Sequence, residues 1–270
     1  MRAHVPFLDT NKMEWGPGSR EGVFTKILSF DPEVGARTAL QCIDPARGYV
    51  SPKQQHYHDG DEEIFVLKGK FSFDQKNWLG ALSYCFHPAR TVHGFKSKTL
   101  EQSWFISRQR RPVTFDYADE PRNMKPYNLD GVEPARGVAV ILDPLKDQWT
   151  DVRNEAGEVV LRRFILSRDP VTGEGAMLVR LMPGWESRHG DHFHSVYEET
   201  FHIEGETERR MVRCSGRGVY SFKPPFTVQS KLRSPKGALV YINLAVLWTS
   251  FPLRSWKNCV RGSRRFRVER

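Results

Sequence analysis

Two short segments of the chain carry histidine and glutamate at the same spacing. Residues 54–69 read QQHYHDGDEEIFVLKG and residues 190–205 read GDHFHSVYEETFHIEG, so the pattern H-x-H-x3-E-x6-G occurs twice. The first copy supplies His56, His58 and Glu62. Histidines two residues apart on a strand point to the same face, and the turn DGD that follows can bring Glu62 back beside them. Imidazoles and a carboxylate that converge in this way are metal ligands.

A third histidine completes the first set. His93 comes from the later segment HPARTVH, in which Pro88 opens a turn before the next strand. Three imidazoles and one carboxylate inside a barrel suit a first-row ion, and Fe, Mn, Ni, Cu and Zn all accept such ligands. The sequence therefore predicts a metal site formed by His56, His58, Glu62 and His93.

The second copy retains only part of this set. It has His192, His194 and Glu198, but Gln229 stands where the first copy has His93. Two histidines and a carboxylate can still hold iron with open positions, and the nearby His189 could act as a substitute ligand. The alternative is a decayed site that is retained for stability or for dimer geometry. We expect less metal here than in the first copy.

The duplication extends beyond these residues and defines the fold. Ile-Leu-Ser followed by Asp-Pro and Gly occurs at 27–35 and again at 165–173, and the copies span about 27–106 and 165–247. Each copy alternates short β-branched and aromatic runs with Gly, Pro and Asp turns, which favours a barrel or double-sheet jelly roll over helices. We predict an all-β protein of two tandem barrels, divided as 1–108 (barrel with N-terminal extension), 109–137 (linker), 138–260 (second barrel) and 261–270 (basic tail).

Composition restricts the setting of this protein. The chain has 270 residues, a formal charge of +9 and four scattered cysteines that form no C-x-x-C pair, which points to a reducing compartment, the cytoplasm. No apolar run is long enough to span a bilayer, and MRAHVPFLDTNKMEWGPGSR lacks the apolar core of a secretion signal. The tail RGSRRFRVER is basic, yet no nucleic-acid-binding motif accompanies it. We therefore expect no membrane and no nucleic-acid partner, and a positive field that attracts small anions.

These motifs resemble those of the cupin superfamily, and their duplication resembles a bicupin. The cupin motifs read G-x5-H-x-H-x3,4-E-x6-G and G-x5-P-x-G-x2-H-x3-N. This chain departs in three ways: seven residues precede each ligand run, Arg90 replaces the motif glycine and Ser97 replaces the asparagine. The motif tolerates four residues before the glutamate, so Glu63 is an alternative ligand. The spacing to Gly69 favours Glu62, and we expect Glu63 to face solvent.

The resemblance implies two cupin (double-stranded β-helix) barrels and a metal. The segment MLVRLMPGWESRHGDHFHSVYEETFHIEG is similar to the cupin domain of ChrR-type anti-sigma factors, a subgroup that includes dioxygenases acting on acetophenones and small diketones. An anti-sigma factor of this type carries a helical segment before its cupin. The first 26 residues here are too short and too rich in Pro and Gly to form one.

Strand alternation predicts the walls of the first site. Residues with the parity of the ligands should face inward, and residues of neighbouring strands should line the rim. The predicted substrate pocket consists of Ile64, Val66 and Phe95 inside and Tyr84, Phe86 and Trp104 at the rim. Arg90, three residues before His93, could pair with a substrate carboxylate or enolate; the alternative is a solvated turn residue. Glu62 could also act as a base.

Three functions remain open on this sequence. The first is an Fe(II)-dependent dioxygenase that cleaves a C–C bond in a phenolic, diketone or hydroxyketone substrate, with that substrate and O2 as partners. The second is a non-redox lyase, isomerase or hydrolase that acts on a hydroxylated acid through Zn, Mn or Ni. The third is a metal-binding cupin sensor. Each is compatible with a homodimer.

Overall fold

The computed structural model describes residues 2–112, 114–118, 125–188, 190–209, 212–244 and 250–252, and the account of the fold is confined to them. The described residues form strands, two short 3-10 helices (Thr10–Lys12 and Pro45–Arg47) and connecting turns. None of their helices is long and apolar enough to cross a membrane. His189 and the basic tail 261–270 lie outside the described residues.

Fourteen strands precede residue 142. They are β1 (Val5–Asp9), β2 (Gly16–Pro17), β3 (Val23–Phe30), β4 (Arg37–Ile43), β5 (His56–Tyr57), β6 (Glu62–Lys68), β7 (Phe71–Ser72), β8 (Tyr84–His87), β9 (Thr91–Val92), β10 (Lys98–Thr99), β11 (Ser103–Gln109), β12 (Asp116–Tyr117), β13 (Tyr127–Asn128) and β14 (Ala139–Ile141).

Twelve strands follow. They are β15 (Thr150–Arg153), β16 (Val159–Arg168), β17 (Gly175–Leu181), β18 (Trp185–Glu186), β19 (His192–His194), β20 (Glu198–Gly205), β21 (Thr207–Arg209), β22 (Val212–Ser215), β23 (Val219–Lys223), β24 (Leu232–Ser234), β25 (Ala238–Leu244) and β26 (Ser250–Pro252).

Two seven-stranded antiparallel sheets repeat the same topology. The first has the order β14-β8-β6-β11-β4-β3-β2, and the second has the order β1-β23-β20-β25-β17-β16-β15. Shorter two- and four-stranded sheets, among them β7 with β10 and β18-β24-β21-β22, accompany them. The registers correspond, because Glu62 pairs with His87 in β8 while Glu198 pairs with Lys223 in β23. The predicted all-β fold with two tandem cupin barrels is therefore confirmed.

The outermost strand of one edge is exchanged between the copies. β1, at the N-terminus, pairs with β23 of the second copy, and β14, which leads into the second copy, pairs with β8 of the first. Both exchanged strands cover equivalent edges, as the internal repeat requires. The domain boundaries at 108 and 138 stay a prediction, and these two strands pair across them.

The core lies in three layers. In β6, Ile64 and Val66 pack inside the first barrel, whereas Phe65 points the other way. A large apolar cluster between the two sheets contains residues of both copies, and within it Phe65 stacks on Tyr241 with ring centroids 4.5 Å apart. The second barrel has its own apolar interior. Each sheet therefore buries both faces, one in its own barrel and one against the other sheet.

Glu63 lies in the layer between the sheets, so the expectation that it faces solvent is wrong. It is only 1% exposed, and burial alone would raise its pKa, but the guanidinium groups of Arg136 and Arg108 outweigh burial and lower that pKa. Its carboxylate accepts hydrogen bonds from five side chains: Tyr84, Arg108, Arg136, Tyr241 and Asn243. The residue faces outward from its barrel, as alternation requires, but the second barrel covers that face.

The linker forms structure of its own where it is described. β12 pairs with β5, and β13 pairs with β9. Ala118 is buried with Val92 and Phe95, and Tyr57 and Tyr127 pack against them. The linker therefore lies against the same strands that carry the predicted ligands.

Candidate metal centre

Backbone pairing brings the first set of predicted ligands together. His56 lies in β5 and forms an isolated antiparallel bridge with His93, with both N–H···O distances at 2.9 Å. His58 follows two residues later on the same side, and Glu62 begins β6. The His56 and His93 rings are 4.4 Å apart, and the His58 ring is 5.3 Å from each. The structure therefore places all four predicted ligands in one cluster.

Each of the three imidazoles is oriented by a backbone carbonyl. The Nδ1 atoms of His56 and His93 lie 3.5 Å from the Gln54 oxygen and 2.9 Å from the Thr91 oxygen. Nδ1 of His58 contacts the carbonyl of Thr114 in the linker. A carbonyl only accepts hydrogen bonds, so in each ring Nδ1 carries a proton, and in the neutral ring Nε2 presents a lone pair to the centre. Metal-binding histidines are commonly fixed in this way.

Glu62 lies among these nitrogens. Its carboxylate oxygens are 3.6 Å from His58 Nε2 and 3.1 Å from His93 Nε2. Burial alone would raise the pKa of Glu62, but His58, His87 and His93 outweigh it and hold that pKa well below its ordinary value. Burial and then the neighbouring His93 lower the pKa of His56 to about 3. Glu62 is therefore ionised and His56 neutral at pH 7, the forms in which a carboxylate and an imidazole bind a metal.

Two nitrogens of the cluster test whether a metal fits. Nε2 of His58 and Nε2 of His93 are buried and lack a hydrogen-bond partner of acceptable geometry. Buried polar atoms are normally satisfied, so two nitrogens without a hydrogen-bond partner beside a carboxylate fit a cation between them. The ligand atoms of His56, His58 and His93 lie within 4.8 Å of one another. The donor set fits a divalent first-row ion.

The sequence analysis missed a further histidine, His87. It is buried, its Nδ1 lies 3.3 Å from Glu62, and its ring stacks on His93 at 4.0 Å. With Glu62 and His93 it forms a second group of potential ligands. Burial and the neighbouring His93 lower its pKa to about 4. Its position opposite Glu62 in the ladder could have identified His87 as a ligand candidate. The sequence does not reveal that position without the strand register.

The rim residues of the predicted pocket lie elsewhere. In β8 it is Cys85 that packs inside the barrel, next to His87, while Tyr84 and Phe86 point into the layer between the sheets. Trp104 packs at the edge of that layer against Trp15. Both faces of β8 are buried, so residue type alone does not show which of its side chains line the barrel.

The inner positions divide between two environments. Ile64 and Val66 are buried inside the first barrel, on the face that carries Glu62. Phe95 instead packs with Val92 and the linker. Gly94, at φ +78°, lies between His93 and Phe95 and interrupts the alternation.

The structure places Arg90 on the surface. Its guanidinium pairs with Asp130 at 3.0 Å and with Asp59 at 3.5 Å, and its side chain is 42% exposed. Its backbone has φ +61°, the left-handed conformation that explains why the cupin motif has glycine at this position. Phe226 has φ +65° at the equivalent point of the second copy.

A linker side chain covers the first site. Phe115 stacks on His56 with centroids 4.1 Å apart and an interplanar angle of 17°, and its ring meets the edge of His58 at 5.5 Å. The guanidinium carbon of Arg20 lies over the Phe115 ring, 4.9 Å from the ring centroid. The predicted ligands His56 and His58 therefore bury part of this aromatic side chain.

In the second copy an ion pair lies among the residues equivalent to the metal set. His192 and Gln229 form the equivalent bridge, and His194 Nε2 lies 3.4 Å from Glu198. Lys223, the counterpart of His87, contacts Glu198 and donates to Gln229 at 2.8 Å. Burial alone would raise the pKa of Glu198, but the Lys223 ammonium leads the opposing contributions and lowers it to about 2.

The comparisons agree with this architecture. Residues 4–114 match the family model of the ChrR Cupin-like domain, and the duplicated barrel topology extends the same fold to the rest of the described chain. The chain has the fold of a bicupin. The matched segment covers the first barrel, whereas the segment quoted above for its similarity to ChrR-type cupin domains lies in the second. No curated protein matches this chain in sequence.

Solved structures show the same fold. A protein from Nostoc punctiforme PCC 73102 described as a putative dioxygenase is 20% identical, with a TM-score of 0.72 over 93% of this chain and 90% of that one. An oxalate decarboxylase from Lactobacillus farciminis is 12% identical, with a TM-score of 0.53 over 98% and 94%. A variant of salicylate 1,2-dioxygenase from Pseudoaminobacter salicylatoxidans, in complex with gentisate, is 12% identical, with a TM-score of 0.53 over 88% and 77%.

Proposed function

We propose that this bicupin is a metal-dependent enzyme whose first barrel holds Fe(II) through His56, His58, Glu62 and His93. The observation that carries the proposal is the pair of buried, orphaned Nε2 atoms on His58 and His93 beside the ionised Glu62. Oxygen-activating non-haem iron uses histidine and carboxylate ligands with open positions. The substrate class we propose is a phenolic, diketone or hydroxyketone compound, and the reaction is a dioxygenase cleavage of a C–C bond.

A bound iron would supply a site at which O2 and a deprotonated substrate oxygen meet. The chain itself orients the ligands, since three carbonyls fix the imidazoles with Nε2 toward the centre. Ile64 and Val66 provide apolar wall on the ligand side of β6, and Phe115 covers His56. Apolar cover excludes bulk water and strengthens electrostatic interactions inside the site.

The roles of Glu62 and Arg90 are refined in this proposal. Glu62 acts as a ligand, since its low pKa keeps it ionised at neutral pH. Arg90 holds its turn through Asp130 and Asp59 and does not reach the substrate. Support for a dioxygenase comes from the solved structures described as dioxygenases, which share the fold. We also propose a small-molecule substrate and O2 as the partners.

The test follows O2 uptake by iron-loaded protein with a panel of phenols, diketones and hydroxyketones. We expect turnover with at least one member and a loss of at least about 100-fold in His93→Gln, which copies the ligand set of the second copy into the first. His192→Ala/His194→Ala is the matched control and should retain activity. Turnover that persists without O2, or with zinc in place of iron, contradicts the dioxygenase and supports a non-redox lyase, isomerase or hydrolase.

A further inference from the structure

The second barrel contains a cavity that the metal proposal does not use. Its volume is about 1100 Å³, and its walls come from the interior of the second barrel together with β1 and the 152–156 turn. Cavities of roughly 300–1,000 Å³ hold drug-sized ligands, so this space is large enough for a small organic molecule. Lys223, Glu198 and Gln229 line one part of it, which is where the first barrel has its metal ligands.

The cavity is apolar along much of its wall. Leu161, Val179, Leu181, Val240 and Ile242 belong to the apolar interior of the second barrel and also line the cavity. Trp185 adds an aromatic surface. A ligand that fills this space must therefore present an apolar body, because a fully polar molecule would lose its hydration against these side chains.

The charge of the lining is positive. The described lining residues include five lysine or arginine side chains and three glutamates, a net charge of +2 with histidine neutral. Lys223 and Glu198 neutralise each other within the cavity. Arg163 and Arg209 are half-buried and line the wall, and among the described residues neither has an ion-pair partner. Nε of Arg209 is buried without a hydrogen-bond partner.

Burial and the same positive charge lower the pKa values of two neighbouring histidines. Burial, followed by Lys223, lowers the pKa of His202 to about 4. Burial, followed by Lys223 and Arg209, also lowers the pKa of His4. Both imidazoles are therefore neutral at pH 7 and do not add to the cavity charge, yet the direction of both shifts agrees with excess positive charge around them.

We propose that the second barrel binds a small organic carboxylate with an apolar body, and that Arg163 and Arg209 provide its counter-charge. Arginine matches the planar, two-oxygen geometry of a carboxylate. Arginine also pairs with phosphate, so it is the apolar wall that favours a carboxylate on an apolar body over a free phosphate. The bicupin thus has one barrel for a metal and one for an organic anion.

The first test needs no variant. Calorimetric titration of the full chain with benzoate, benzyl alcohol and benzylammonium compares three ligands of similar shape and different charge. We expect benzoate to bind at least about tenfold more tightly than the alcohol, and benzylammonium to bind least, because charge-assisted hydrogen bonds exceed neutral ones in strength. Equal affinity for benzoate and benzyl alcohol, or no benzoate binding in the millimolar range, overturns the proposal.

Variants then locate the site. Arg163→Gln/Arg209→Gln should weaken benzoate binding by about tenfold or more. Arg162→Gln/Arg180→Gln is the matched control: it removes the same charge from strands β16 and β17 at positions outside the cavity lining, where both arginines form surface ion pairs. An equal loss of affinity in both double variants would show a general charge effect and overturn the assignment.

A metal-free variant separates this proposal from the proposed function. His56→Ala/His58→Ala removes two ligands of the first barrel and should leave benzoate affinity unchanged. If benzoate binding disappears with these ligands, the carboxylate binds at the metal centre and the second-barrel site is excluded. Loss of O2 uptake with retained benzoate binding leaves the second-barrel site supported, whatever the reaction of the first barrel proves to be.

Discussion

At the scale of single residues, the first site depends on groups that hold the imidazoles as much as on the imidazoles themselves. Carbonyl oxygens fix Nδ1 of all three histidines, and one of these carbonyls belongs to Thr114 in the linker. Gly94 leaves room for the His56 ring because it has no side chain: a Cβ at this position would lie 2.6 Å from Cε1 of His56. His56 therefore occupies its position only because residue 94 has no side chain.

Gly94→Ala should lower metal affinity by about 10- to 100-fold, the usual effect of disturbing groups that orient ligands. The methyl group displaces the His56 ring, and φ +78° adds backbone strain. Gly131→Ala is the matched control, since Gly131 has φ +71° but no atom within 4 Å of an added Cβ. Competition with a chromogenic chelator measures both. Equal affinity in the two variants would contradict the steric argument.

Lys223→Met should destabilise the second barrel by about 3–5 kcal/mol at pH 7, because it leaves Glu198 ionised and buried without its partner. The folded-state pKa of Glu198 is depressed to about 2, so this stability is present above its unfolded pKa and is lost as pH falls toward 2. Urea unfolding between pH 7 and pH 3 measures the free energy of unfolding of both proteins. The difference in that free energy between wild type and variant should become smaller as the pH falls.

Lys231→Met provides the control for that measurement. Lys231 pairs with Glu186 at the surface, where both side chains are 51% exposed. Exposed pairs contribute about 0–1 kcal/mol, so little change is expected at any pH. If the difference in unfolding free energy between wild type and Lys223→Met stays constant with pH, packing and not the ion pair stabilises this position.

At the scale of elements, alternation predicted part of the site and misplaced the rest for a physical reason. The ligands at β5 and β6 were predictable because a short turn joins the two strands. The alternation of side chains can be counted there within a few residues. Tyr84 and Phe86 were misplaced because β8 is buried on both faces, with the second barrel covering the outer one. Glu63 was predicted to face solvent because its cover also comes from the second barrel. Cover by a distant part of the chain leaves no local signal in the sequence.

Deletion of residues 1–9 should expose the edge of β23. β1 covers that edge, while β14 covers the equivalent edge of β8. Hydrogen exchange should therefore show faster exchange of the β23 amides and unchanged exchange in β8, which serves as the internal control. An unpaired edge also promotes association of chains, so we expect concentration-dependent self-association of the deletion variant. Full protection of β23 after deletion would show that the exchanged strand is dispensable.

At the scale of the whole molecule, two copies of one barrel have diverged around a shared frame. The sheets keep the same strand order, and the ladder position opposite the first glutamate holds His87 in one copy and Lys223 in the other. The sequence revealed the exchange of His93 for Gln229, which predicted less metal in the second copy. It did not reveal Lys223 as the ammonium group beside Glu198, because that position follows from register across strands far apart in the chain.

The central claim is that the first barrel alone holds the metal, and metal stoichiometry tests it most directly. Protein loaded anaerobically with Fe(II), desalted and analysed by mass spectrometry of the metal should contain about one ion per chain. His56→Ala/His58→Ala should contain almost none, and His192→Ala/His194→Ala should match the wild type. About two ions per wild-type chain, or loss of metal from the second variant and not the first, would contradict the account.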